Sequence, residues 1–285
     1  MNVEVVGGKI WYSIHHICQE YDRGVINDPQ NIYSYMHSLP KTFCCIYCRN
    51  SLGPFLEELD PQFRHALQHR EMRRLSYDLH NKVNNKLLRQ EDDRVTECMH
   101  KHLSELQRDR SCLREISNEL SCILYTKTPP SYEDFLHRKY PRNEKFFWDS
   151  IHCITHGYSL NESAKPEDYN IFLHSILSLL WPGIMKATEN SYKIHRIIRD
   201  PQISYLRKSW LIQRVIFDMT RVMQEQKLEK ILCQSPVINI DDIRALGIMH
   251  KNSIEQTFEE LLAEMKSYES GCAKAKSCRK SAILT

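Results

Sequence analysis

The chain has 285 residues, of which 41% are hydrophobic and 26% charged, a soluble globular profile with room for two domains of ordinary size. Its net charge of +3, with no strongly basic run, argues against a nucleic-acid partner. The longest apolar run, Ile176 to Trp181, is interrupted by Ser178, and Met1 to Ile10 lacks the apolar core of a secretory signal, so neither a membrane span nor secretion by that route is expected.

Only eight glycines and almost no alternating apolar pattern predict an all-α chain. The eleven cysteines are odd in number, so at least one stays free or pairs between chains. Cys18, Cys98, Cys112, Cys122, Cys153 and Cys233 are scattered and read as buried thiols acting as small hydrophobes.

The first helix is expected after Gly7-Gly8, with Trp11, Ile14, His15, Cys18 and Tyr21 on one face. Asp28-Pro29 opens a second, with Ile32, Tyr33, Met36 and Leu39 inward, and Pro40 is expected to stop it. A third, short helix is expected from Cys45 to Leu52, ending near Gly53-Pro54. It carries Phe43-Cys44-Cys45-Ile46-Tyr47-Cys48, a Cys-x-x-Cys pair preceded by an aromatic. At a helix N-terminus such a pair has a lowered thiolate pKa and forms a strained, easily reduced disulfide. By itself the spacing also suits half of a zinc knuckle, or two unrelated core thiols. Asp60-Pro61 opens a fourth helix, read as continuous through the seam Leu75, Leu79, Val83 and Leu87. On it His80 and Asn84 share a face with Asn81 beside them. A solvated face is the ordinary explanation, but Asn is a poor mid-helix residue, and a bound polar, planar group would account for three in five positions.

Taken together, Trp11-x-x-x-His15, Cys45-x-x-Cys48 and His80-Asn81-x-Val83-Asn84-x-Lys86-Leu87 resemble the Erv/Alr family of FAD-linked sulfhydryl oxidases over roughly residues 7–90. The resemblance implies a four- or five-helix bundle holding FAD, lined by Trp11, His15, His80, Asn81, Val83, Asn84 and Lys86, with Arg89 offering a cation to the cofactor phosphates. It implies that Cys45 exchanges with incoming protein dithiols, that Cys48 is the flavin-proximal thiol, and that electrons reach O2 to give H2O2. No metal is implied; the rival, a flavin-free zinc scaffold at Cys45 and Cys48, lacks a second ligand pair at finger-like spacing. A third possibility is a binding module whose first half is vestigial, against which stands the intact first-half constellation.

The second half repeats the first. Trp148-x-x-x-His152 follows Trp11-x-x-x-His15 by 137 positions, and Leu173-His174-Ser175 follows Met36-His37-Ser38 by the same interval. Pro182 and Met185 then fall where Cys45 and Cys48 stood. Asp200-Pro201-Gln202 echoes Asp60-Pro61-Gln62 at 140, an interval that sets Thr220, Arg221, Gln224 and Gln226 against His80, Asn81, Asn84 and Lys86. The expected organisation is a catalytic domain over 1–94, a helical linker over 95–140, a degenerate helical copy over 141–266 and a polar tail over 267–285. Within the tail, Cys272 and Cys278 suit a shuttle that carries electrons to Cys45–Cys48. Family members pair as dimers, so the copy is expected to take the partner's place in an intramolecular pseudo-dimer with one active site, further homo-oligomers being possible. An oxidase followed by a degenerate copy is similar to arrangements in large DNA viruses, which implies the cytoplasm of an infected cell or the virion; the mitochondrial intermembrane space is the alternative.

Overall fold

The computed structural model describes residues 3–43, 46–86, 131–159, 165–186, 188–232 and 260; every described element is helical. In chain order they are α1 (Val3–Asp22), α2 (Pro29–Thr42), α3 (Ile46–Glu58), α4 (Asp60–His69), α5 (72–86), α6 (Tyr132–His137), α7 (Glu144–Ser159), α8 (Pro166–Leu180), α9 (Pro182–Lys186), α10 (Thr188–Arg199) and α11 (Tyr205–Leu232). No helix among the described residues is long and apolar enough to cross a membrane.

α2 starts as expected: the Asp28 carboxylate accepts the Asn31 amide at 3.0 Å and Pro29 occupies the first turn. Its end differs, because Pro40 lies within the last turn and the helix runs on to Thr42. A proline there withholds one N–H and leaves the following turn intact. α3 likewise passes through Gly53-Pro54 to Glu58, and α1 begins at Val3, ahead of Gly7-Gly8.

The single fourth helix of the sequence reading is two. α4 stops at Arg70, whose φ of 58° places it in the left-handed region, and α5 begins at 72. The end of α1 holds this corner. Arg70 donates to the Tyr21 carbonyl at 2.6 Å and to Asn27 Oδ1 at 2.8 Å, while the Tyr21 hydroxyl donates to the Leu67 carbonyl at 2.6 Å. Both Asp22 carboxylate oxygens accept amides of the first turn of α5, from Met72 and Arg73, each at 2.8 Å. Two charge-assisted bonds at a helix N-terminus fix where α5 starts and how it is rotated, so His80 and Asn84 face inward.

A continuous apolar core runs through both halves, from Ile14, Met36, Leu56 and Phe63 in the first to Ile151, Phe172, Leu177 and Ile194 in the second. α1 packs on α7 and α2 on α8. Positions 137 apart meet across this seam: Ser13 Oγ lies 3.0 Å from Ser150 Oγ, and the Tyr35 and Phe172 rings are 6.1 Å apart. Lys9 pairs with Asp149 at 2.8 Å, and the reciprocal positions, Tyr12 and Phe146, stack edge-on at 4.8 Å. The segment 131–143, assigned from sequence to linker and start of the second domain, packs on α1 and α5.

Candidate active site

α1 and α5 build an aromatic platform. Trp11 and His15 stand one turn apart on α1, and the His80 ring stacks on the Trp11 indole with centroids 3.9 Å apart and planes 8° from parallel. Behind them a hydrogen-bond chain runs to the backbone: Ser76 donates to the Arg73 carbonyl at 2.9 Å, His15 Nδ1 lies 3.2 Å from Ser76 Oγ, and His15 Nε2 lies 3.0 Å from His80 Nδ1. Because the Ser76 proton is committed, its oxygen accepts from His15 Nδ1–H, and His15 Nε2 then accepts from His80 Nδ1–H; these tautomers are assigned from the hydrogen-bond pattern.

Both imidazoles are kept neutral. Burial holds His15 well below its ordinary pKa, reinforced by His80, Arg73 and Arg138; burial and Arg138 lower His80 to about 4. A neutral, stacked wall of this kind suits a planar, amphipathic ligand.

Next to the platform lies a cavity of about 570 Å³, within the range of cofactor pockets. Of the residues singled out by sequence, Trp11, His15, Cys48, His80, Val83, Asn84 and Lys86 line it together. Asn81 does not line it, since one residue past His80 is a third of a turn around the helix. Cys45, Arg89, Cys272 and Cys278 lie outside the described residues. Ile10, Ile14, Phe43 and Leu52 supply the apolar wall. Gly7 and Gly8 line it as well, and a Cβ at either would meet nothing within 4 Å, so the pair adds open volume.

The donor set fits a flavin nucleotide: a flat aromatic and imidazole face for the ring system, the Asn84 amide for its edge, and the Lys86 ammonium for an anionic tail. Among the described residues no group of three or more His, Cys, Asp or Glu side chains is placed to hold a metal.

Tyr12, Ser51 and Tyr140 line the cavity without a part in the sequence reading. Tyr12 was passed over because its neighbours Trp11 and His15 defined the face, and Tyr140 because it sits outside any helical period, between α6 and α7. The one local cue was an aromatic held in an extended Tyr-Pro step, Tyr140-Pro141.

In the second half a similar hydrogen-bond arrangement surrounds His152. His152 Nδ1 lies 3.0 Å from Ser209 Oγ and its Nε2 lies 2.7 Å from the Gln213 side-chain amide. Ser209 and Gln213 therefore stand where Ser76 and His80 stand, an interval of 133, and α5 and α11 begin at the same interval, at 72 and 205. This corrects the interval of 140: Asp60-Pro61-Gln62 starts a helix, whereas Asp200-Pro201-Gln202 lies between α10 and α11, so that match joins unlike places. The corrected interval sets Phe217, Met219 and Arg214 opposite Asn84, Lys86 and Asn81. The Trp181 indole stacks on Trp148 at 4.7 Å. Both tryptophans are only 7% exposed, so among the described residues the indole face beside His152 is covered.

Residues 8–105 match the family model described as the Erv1 / Alr family, a match that ends inside the stretch read from sequence as linker. No curated protein matches the chain. No solved structure matches it either.

Proposed function

We propose, from the premise that residues 8–105 belong to the Erv1 / Alr family of FAD-linked sulfhydryl oxidases, that this chain oxidises protein dithiols to disulfides through Cys45 and Cys48. The observation that carries the reading is the shared cavity: Cys48 lines the same wall system as Trp11, His15, His80, Asn84 and Lys86. In it, Trp11 and His80 would cover the ring system of FAD, Asn84 would bond its edge and Lys86 would face its anionic portion. When bound, FAD accepts the electron pair and passes it to O2, giving H2O2.

The chain's own residues supply the thiol chemistry. A substrate thiolate attacks Cys45 of the Cys45–Cys48 disulfide, forming a mixed disulfide and releasing Cys48 as a thiolate. The second substrate thiol then attacks the mixed disulfide, so the substrate leaves oxidised by two electrons and Cys45 and Cys48 are left reduced. Phe43, Leu52 and Ile14 give the cavity that Cys48 lines an apolar wall, which limits water around the thiol.

The second half is proposed to be a degenerate copy that serves as an intramolecular partner. Supporting this are the self-paired seam positions Ser13 and Ser150, Tyr35 and Phe172, together with the indole of Trp181 over Trp148. One flavin per chain follows.

The test is the visible spectrum and oxygen uptake of the purified chain beside Cys48→Ser. A yellow protein with about one flavin per chain is expected, and the variant should keep its flavin while losing at least about 99% of dithiol-driven oxygen uptake. A colourless, zinc-containing protein, or a Cys48→Ser variant turning over at the parental rate, would sink the reading.

A further inference from the structure

Among the described residues Tyr140 is the one cavity-lining residue that lies C-terminal to the family match, and the chain commits several buried polar side chains to holding it there. It belongs to an extended strap between α6 and α7. Gln19 grips the Tyr140 backbone from both sides: its Oε1 accepts the Tyr140 amide at 3.1 Å and its Nε2 donates to the Tyr140 carbonyl at 3.2 Å. His16 Nδ1–H donates to the same carbonyl at 2.7 Å, and the Tyr12 hydroxyl donates to the next, on Pro141, at 2.6 Å. From α5, Arg73 Nη2 donates to the carbonyls of Phe135, Leu136 and Arg138 at 3.1, 3.1 and 3.0 Å.

His16 and Gln19 are 4% and 7% exposed. Polar side chains that deep in a helix face are destabilising unless partnered, and here the strap backbone is the partner. The grip fixes the Tyr140 ring 4.9 Å from His15 and 5.6 Å, edge-on, from Tyr12. The Arg138 guanidinium also lies beside the Tyr140 phenol, where its charge opposes the burial that raises the phenol's pKa.

We propose that the strap 138–141 is a wall of the FAD site, with Tyr140 a cofactor-contacting residue and Arg138 a positioning residue acting through the Tyr140 phenol. The inference rests on the oxidase reading for the identity of the ligand. It places part of the cofactor site outside the segment that matches the family. It also gives the buried polar residues of α1 a purpose that packing alone does not.

The test uses the full chain stripped of flavin and titrated with FAD, followed by flavin fluorescence and by the shift of the visible bands. Tyr140→Ala should weaken FAD binding about tenfold or more, the effect of removing one aromatic ligand contact. Tyr140→Phe should stay within about threefold of the parent, and Arg138→Ala should fall between the two. The thermal midpoint of the flavin-free chain should be the same in all four proteins. Parental affinity and an unchanged flavin spectrum in Tyr140→Ala would overturn the inference. A parent chain that binds no FAD would instead overturn the oxidase reading. Should Tyr140→Ala fail to fold, hydrogen exchange on the parent decides: FAD should protect the amides of Arg138, Lys139, Tyr140 and Arg142, and unchanged exchange there overturns the proposal.

Discussion

Neutral histidines set how this protein responds to acid. Burial leads in lowering His80 and His152 to about 4, and it also holds His15 well below 6.5. In the unfolded chain each returns to about 6.5, so between those values the unfolded state binds more protons than the folded one. The contribution of neutral burial is therefore complete above about pH 6.5 and is lost as pH falls towards 4. A drop from 6.5 to about 4 corresponds to roughly 3 kcal/mol for each of His80 and His152. Urea unfolding between pH 7.5 and 4.5 should show stability flat at the upper end and falling below about pH 6.5. His80→Gln, which installs the residue type found at Gln213, should flatten the slope by up to about 1.4 kcal/mol per pH unit. Equal slopes in parent and variant would show that His80 is protonated in the folded chain.

At the level of elements, α5 carries His80, Val83, Asn84 and Lys86 into the cavity, and its start is held by the Asp22 carboxylate. Asp22→Ala removes both acceptors and should cost about 1–2 kcal/mol in urea unfolding, with Asp22→Asn costing less because one acceptor remains. If the cap also sets the rotation of α5, flavin affinity should fall in the same order; a loss of stability with unchanged flavin affinity would limit Asp22 to a folding role. Much of this element was legible in sequence. The seam Leu75, Leu79 has helical period, the polar face His80–Asn84 interrupts it, and Trp11-x-x-x-His15 shows one face of α1 directly. The break at Arg70 was not, because it carries neither glycine nor proline. Its left-handed turn is stabilised by Tyr21 and Asn27, 49 and 43 positions away, and no local pattern encodes such contacts. Pro40 and Pro54 misled in the opposite direction. Each withholds one bond inside a helix whose neighbours bury Leu39 and Leu56, and the packing outweighs the local signal. The Tyr140 strap was invisible for the same reason as Arg70: its position is written in His16, Gln19 and Arg73, which read as ordinary polar helix residues until their partners are seen.

Across the whole molecule, on the duplication proposed above, the seam between halves follows the logic of a two-fold interface folded into one chain: positions 137 apart meet, and other contacts come in reciprocal pairs. Once such an interface lies within one chain the two sides are free to diverge, and each pair shows how far they have. Lys9 with Asp149 is an ion pair, while its reciprocal, Tyr12 with Phe146, is a pair of rings. On the seam, Ser13 and Ser150 are identical, but Tyr35 faces Phe172, and the buried Tyr35 hydroxyl has no hydrogen-bond partner among the described residues. Phe172, 137 positions on, carries no hydroxyl. Burying an unpaired hydroxyl is unfavourable by about 1–3 kcal/mol, whereas the ring it sits on contributes fully to the core. Tyr35→Phe should therefore stabilise the chain by about 1 kcal/mol, seen as a rise of about 2–4 °C in thermal midpoint, with flavin stoichiometry unchanged. A fall in midpoint would mean that the hydroxyl bonds to a group such as the nearby Cys18 thiol, and that the first half needs a polar contact at Tyr35.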